Sequence, residues 1–230
     1  GPIAKVAADG TVSRFAFGLE RPRGIALDGA GNLYVADGED DKAGRLLLFR
    51  APPAPSVNAP ATTNQSPLTL TGTTEANSRI DAFVNASPTA ATLLTPDGSF
   101  AFTVDLILNA RNSTTFFSTG QRGQGLTSAP AEVATVHDNV PPLIASLQPP
   151  NGAFRNSVLP LIRADWSDAL AGVDPGSVAI SLDGVTVTSQ ADITALGFTL
   201  TSGAPLSEGT HTVSVRVADR AGNLATASAA

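Results

Sequence analysis

The sequence predicts an all-β chain: a short β-segment followed by two tandem β-sandwiches. Three observations carry this. Apolar and polar residues alternate with period two in segment after segment, as in Phe100, Phe102 and Val104 or in Val178, Ile180 and Leu182. Turn signals such as Pro96-Asp97-Gly98 and Asp183-Gly184 separate those segments at the roughly 8–12-residue spacing of a sandwich. No stretch sustains a 3.6-residue period, so little or no α-helix is expected.

Residues 1–50 carry the densest mixed charge, and residues 51–60 (APPAPSVNAP), with four prolines, read as a stiff linker running into a first strand. The block 54–137 reads as seven short strands. Leu68 and Leu70 lead one, Arg79–Asn85 alternates, residues 89–95 follow, and the Pro96-Asp97-Gly98 turn leads to Phe100, Phe102 and Val104; residues 113–119 and 131–136 complete the set. Residues 138–142 (DNVPP) form a second Pro-bearing junction. Beyond it Ile144 and Leu147 open a block in which Leu159, Ile162 and Trp166 share a strand. Val178, Ile180 and Leu182 run into Asp183-Gly184, Val185 and Val187 return, and His211, Val213, Val215 and Val217 line one face. The domain division is therefore 1–50, 51–137 and 138–230.

Composition narrows the function. The 230 residues are 42% apolar but 5% aromatic, so the cores rest on Val, Leu, Ile, Ala and a few Phe. Charged residues make up 15%, against about 25% in an average domain. Thr, Ser, Asn and Gly must cover the surface, which suits an extracellular β-protein. Net charge is −6 and no run of Lys or Arg exists, which argues against nucleic acid. Fifteen of the 20 acids are Asp, a turn former and a hard-cation ligand. Absence of Cys excludes disulfides and thiolate metal sites. The two lysines are Lys5 and Lys42, so a Lys–Asn isopeptide cross-link is excluded from residue 54 onward. No stretch approaches the ~20 apolar residues of a membrane-spanning helix. Gly1-Pro2 reads as a protease scar or a cut in a longer chain.

Residues 54–137 resemble a bacterial Ig-like domain of the kind strung in tandem on adhesins and other surface proteins, through Leu68-Thr-Leu-Thr-Gly-Thr73, Ile80-Asp-Ala-Phe-Val-Asn85, Pro96-Asp-Gly-Ser-Phe-Ala-Phe102 and Thr127-Ser-Ala-Pro-Ala131. Residues 141–230 resemble a second, through Asp165-Trp-Ser-Asp168, Gly172-Val-Asp174, Leu182-Asp-Gly184, Glu208-Gly-Thr-His-Thr-Val213 and Asp219-Arg-Ala-Gly-Asn223. Where the second carries that last phrase the first has Gly120-Gln-Arg-Gly-Gln-Gly125. Residues 1–50 are similar to one NHL-type β-propeller repeat: Leu19-Glu-Arg-Pro-Arg-Gly-Ile-Ala-Leu-Asp28, Gly31-Asn-Leu-Tyr-Val-Ala-Asp37 and Arg45-Leu-Leu-Leu-Phe49. One blade cannot bury its own faces, so these strands either end a longer propeller or pack on something else. Leu224–Ala230 reads as an incomplete last strand, and both ends suggest a fragment.

Calcium is the most specific chemistry on offer. Asp138-Asn139 ahead of Pro141-Pro142 is similar to the calcium-binding linkers of cadherin-like modules, and Asp165, Asp168, Asp174 and Asp219 lie in loops of the block that follows. Asp138, Asn139, Asp165, Asp168 and Asp219 are the candidate ligands, since Ca²⁺ takes six to eight oxygens. The competing reading has these residues capping turns. Asp28 and Asp37 are placed either as ligands on a propeller axis or, more ordinarily, as turn formers. His137 and His211 accompany no nucleophile elbow and lie too far apart in sequence to suggest a zinc pair. Gly120–Gly125 lacks the Lys-Ser/Thr of a phosphate loop. Trp166 reads as core rather than as a sugar-stacking surface. The triplets at Asn64, Asn85 and Asn112 are formal glycosylation sequons with no function assigned.

Three functions compete. The leading one is a non-catalytic spacer, stalk or fibre subunit of a bacterial surface or secreted protein, extracellular or at the cell surface. Its partners are other domains of the parent chain or, by strand exchange at open sheet edges, copies of itself. The second is an adhesin-type binding module for carbohydrate or protein. The third is a piece of an NHL-propeller enzyme.

Overall fold

A computed structural model describes residues 3–6, 12–16, 19–38, 43–120 and 125–230. Gly1, Pro2, Lys42 and residues 121–124 inside the Gly-rich segment 120–125 lie outside them. The described residues form strands and connecting turns, with a single 3-10 turn at Thr188–Gln190. The chain packs as two compact units. The first comprises Gly1–Ala59, Pro67–Asp105 and Ser113–Ala134; the second comprises Pro60–Ser66, Leu106–Asn112 and Thr135–Ala230.

The first unit begins with a hairpin, β1 (Ile3–Val6) and β2 (Val12–Ala16). A three-stranded antiparallel sheet follows from β3 (Pro22–Leu27), β4 (Leu33–Asp37) and β5 (Arg45–Phe49). Leu33 and Val35 point into a small core completed by Leu19 and by Leu126, which belongs to the sandwich segment. The expectation that these strands need outside cover holds on that face. Ile25 and Leu27 of β3 stay exposed.

Next come β6 (Ser56–Asn58), β7 (Thr62–Thr63), β8 (Leu68–Thr73), β9 (Ser78–Val84), β10 (Ser87–Thr95), β11 (Ser99–Val104), β12 (Ala110–Gly120) and β13 (Ala131–His137). One sheet has the order β11-β8-β6, and the other runs β10-β9-β12-β13 and on to β7. Period-two alternation puts Leu68, Leu70, Phe100, Phe102 and Val104 of one sheet and Ile80, Ala82 and Phe116 of the other inside. The Phe116 ring lies 5.7 Å from Phe100 and 5.9 Å from Phe102, so three rings join the sheets. Gly72 is required there: a Cβ would strike the Ser56 carbonyl and the Phe100 ring.

The second unit holds β14 (Leu143–Gln148), β15 (Leu161–Ser167), β16 (Val173–Leu182), β17 (Val185–Thr186), β18 (Asp192–Thr194), β19 (Gly197–Thr201), β20 (Val213–Asp219) and β21 (Leu224–Ala229). They make two four-stranded sheets, β14-β15-β19-β18 and β17-β16-β20-β21. Ile162, Ala164, Trp166, Phe198 and Leu200 from one sheet pack against Val178, Ile180, Leu182, Val213, Val215 and Val217 from the other. Each large side chain so buried contributes about 1.5–3 kcal/mol. Trp166 stacks on Phe198 at 5.9 Å, and its Nε1–H donates to the Thr194 carbonyl at 3.2 Å, so it is core.

Val185 returns after the turn as expected, in the two-residue β17 paired with β16, and is exposed at that sheet edge. Three local expectations are corrected. Leu159 lies in the β14–β15 connection, ahead of β15, and is exposed. His211 precedes β20 instead of lying within it. Residues 224–229 form a full strand, paired with β20 from Ala218↔Leu224 to Val213↔Ala229.

Candidate functional site

In the second unit three Asp-led turns meet. Asp138 follows β13, whose last residues pair in parallel with β7 (Val136↔Thr62, His137↔Thr63). The Asp138 N–H donates to the Thr63 carbonyl at 2.8 Å. Its Oδ1 accepts the Val140 N–H at 3.0 Å and its Oδ2 the Ala171 N–H at 2.9 Å. The Pro141-Pro142 pair offers no further N–H, so the turn ends there. Asp168 Oδ1 accepts the N–H groups of Leu170 (3.2 Å) and Gly172 (2.6 Å). Gly172 takes φ = 76°, the left-handed region that favours glycine. Asp219 Oδ1 accepts the Asn223 N–H at 2.9 Å.

Asn223 is the keystone. Its Nδ2 donates to Asp219 Oδ2 at 2.7 Å and to the Asp138 carbonyl at 2.8 Å. Its Oδ1 accepts from Asn64 Nδ2 at 3.3 Å, and beside it the Thr62 hydroxyl donates to the Arg220 carbonyl at 2.7 Å.

The result is a convergence of like charge. One oxygen from each of Asp138, Asp168 and Asp219 falls within 4.8 Å of the others. Asp138 is 1% exposed and Asp219 2%, with Asp168 half-buried. Among the described residues no Lys or Arg forms an ion pair with any of the three. A buried carboxylate is costly unless a cation or hydrogen bonds offset it. Here each has hydrogen bonds and, among the described residues, none has a counter-charge within ion-pair distance.

The donor set fits a hard divalent cation. Ca²⁺–oxygen distances are roughly 2.3–2.6 Å, so ligands on opposite sides of one ion stand about 4.6–5.2 Å apart. A carboxylate oxygen that accepts one hydrogen bond keeps a lone pair for a metal. Turn capping and cation binding are therefore compatible roles for the same three residues.

Two of the five sequence-derived ligand candidates lie elsewhere. Asp165 sits on β15 between the buried Ala164 and Trp166, so strand alternation turns it to the exposed face. Asn139 is exposed, and its N–H donates to Asn109 Oδ1 at 2.9 Å. Asp174 caps a local turn, its Oδ1 accepting the Gly176 N–H at 3.0 Å. Asn223, Asn64 and Asn109 were missing from the expected set. The four-residue spacing from Asp219 was a usable signal for Asn223. Asn64 and Asn109 come from remote turns that carry no local mark.

The remaining titratable candidates are engaged structurally. His137 is 1% exposed and its Nδ1 accepts the Asn109 N–H at 3.0 Å. In the first unit Asp28 closes its own turn, accepting from Ala30 N, Asn32 N, Asn32 Nδ2 and the Tyr34 hydroxyl, and the Asn32 amide above all holds its carboxyl below the usual range. Burial pushes Asp37 up, but the Arg45 guanidinium at 2.9 Å and the N–H groups of Glu20 and Arg21 outweigh it and leave its pKa lowered.

Residues 172–230 match the family model of a bacterial Ig-like domain. The bacterial Ig-like match takes in β16 to β21, and with them Asp183, His211, Asp219 and Asn223. Among solved structures the chain is similar to the fibronectin(III)-like modules of Clostridium thermocellum CbhA, at 14% identity over 76% of this chain and 91% of that one, TM-score 0.44. It is also similar to chicken CNTN1 FN1-FN3 domains (12% identity, 86% and 77%, TM-score 0.33) and to a 1.5-MDa bacterial ice-binding adhesin (11%, 86% and 71%, TM-score 0.32). At these scores the likenesses carry no functional weight. No curated protein matches the chain. No helix of the described residues is long and apolar enough to cross a membrane.

Proposed function

We propose that this chain is a non-catalytic, extracellular structural module of a bacterial surface or secreted protein, a spacer that presents neighbouring domains of its parent chain. Within it, Asp138, Asp168 and Asp219 hold a hard divalent cation, and calcium suits their oxygen-only chemistry. The observation that carries this reading is the three-turn knot around Asn223. It fastens the segment Asp138–Pro142 to the loops after β15 and β20, so a stretch that composition marks as a linker is held at both its main-chain and side-chain groups. A spacer needs such connections to keep its direction under load. The bacterial Ig-like match over 172–230 supports the surface setting.

A second reading, an adhesin-type binding module, draws on the outer face of the β9–β12 sheet. Half-buried Phe83 and Phe117 meet edge to face at 5.7 Å beside the Arg79–Asp81 ion pair. A glycan and matrix-protein array, with light scattering on the same sample, separates the readings. A spacer stays monomeric and gives no saturable binding. Saturable binding lost on Phe117→Ala moves the function to the adhesin, and concentration-dependent assembly moves it to strand exchange between copies.

A further inference from the structure

At the other end of β20 from Asp219 stands a second charged group that none of this uses. Asp183 lies in the β16–β17 turn at φ = 48°, and its N–H donates to the Thr212 carbonyl at 2.8 Å. Its Oδ1 accepts the Thr212 N–H at 2.8 Å, and its Oδ2 lies 2.6 Å from His211 Nδ1. The other ring nitrogen, Nε2, is 2.9 Å from the Ser207 carbonyl.

Both partners of the ring are acceptors. A neutral imidazole has one N–H, and only the imidazolium has two. The arrangement is therefore complete when the ring is charged. The Ser207 bond closes a short exposed loop, Ser207-Glu208-Gly209-Thr210, onto His211, with Gly209 at φ = 137°.

We propose that His211 is a pH-controlled clasp, its imidazolium pinning the Ser207–Thr210 loop to the Asp183 turn and freeing that loop when a proton leaves. The carboxylate is the stronger acceptor, so the neutral ring keeps Asp183 and gives up Ser207. The charged groups facing the ring are few. Asp183 comes from the β16–β17 turn, Glu208 sits in the loop itself without an ion pair to the ring, and among the described residues no Lys or Arg pairs with either. The Ser207 carbonyl and then Asp183 raise the His211 pKa above 6.5, while the ring lowers that of Asp183. The clasp is thus fully formed below pH 6.5 and is lost as pH rises through the elevated value.

The test is an imidazole ¹⁵N NMR titration of the full chain and of Asp183→Asn, with the amide signals of residues 207–210 followed in parallel. The expected result is an His211 midpoint above 6.5 with both nitrogens protonated beneath it, a lower midpoint in Asp183→Asn, and 207–210 amides that shift at the His211 midpoint. A midpoint at or below 6.5, or loop amides indifferent to it, overturns the proposal.

Discussion

The two ends of β20 use one residue type in opposite electrostatic settings. At the Val213 end, Asp183 organises a turn and faces an imidazole that charges to meet it. At the Asp219 end, three aspartates organise three turns and face one another. Both ends use an Asp carboxylate to cap backbone N–H groups. They differ in what balances the charge. The lesson is that turn capping explains why each Asp is present, while only the neighbours of its second oxygen say what it responds to. One end should answer to protons and the other to metal ions.

The largest expected effect comes from Asp138→Ala, which orphans the N–H groups of Val140 and Ala171. Urea unfolding should show a loss of about 1–3 kcal/mol, the usual cost of leaving a buried donor, here the Ala171 N–H, unsatisfied. A loss below about 0.5 kcal/mol would mean that the knot is decorative. Asn223→Ala removes the amide that joins Asp219 to the Asp138 carbonyl, and about 1–2 kcal/mol should go with it. Asp165→Ala is the contrast: on the exposed face of β15 it should stay within about 0.5 kcal/mol and leave any calcium response intact. Smallest of all is the His211 end, where a charged pair so open to solvent adds little to global stability. Its signature is direction. The contribution of His211 fades as pH rises above 6.5, whereas that of Asp183 fades as pH falls below 3.8.

Much of this was legible in the sequence. Phe100, Phe102 and Val104, like Val213, Val215 and Val217, were readable as core because strand alternation is a local property. That Asp138, Asp168 and Asp219 each open a turn was also readable. Their meeting point was not, because it depends on the β7–β13 pairing and on the register of β20, both set by residues far apart. Asp165 was placed among the ligands although the alternation of Ala164 and Trp166 already turned it outward. Asn64 and Asn109 gave no signal, as a side-chain amide on a turn looks the same whether or not a remote partner reaches it.

The most direct measurement is thermal unfolding of the wild-type chain and of Asp168→Asn, each with a chelator and with millimolar calcium. Asn at 168 keeps an Oδ1 for Leu170 and Gly172 and removes one of the three crowded charges. Calcium should raise the wild-type Tm, with about 2.7 kcal/mol of added stability at a hundred times Kd. Asp168→Asn should melt above wild type in chelator and ignore calcium. A wild-type Tm that calcium leaves unchanged would contradict the account, and the three aspartates would then be turn caps alone.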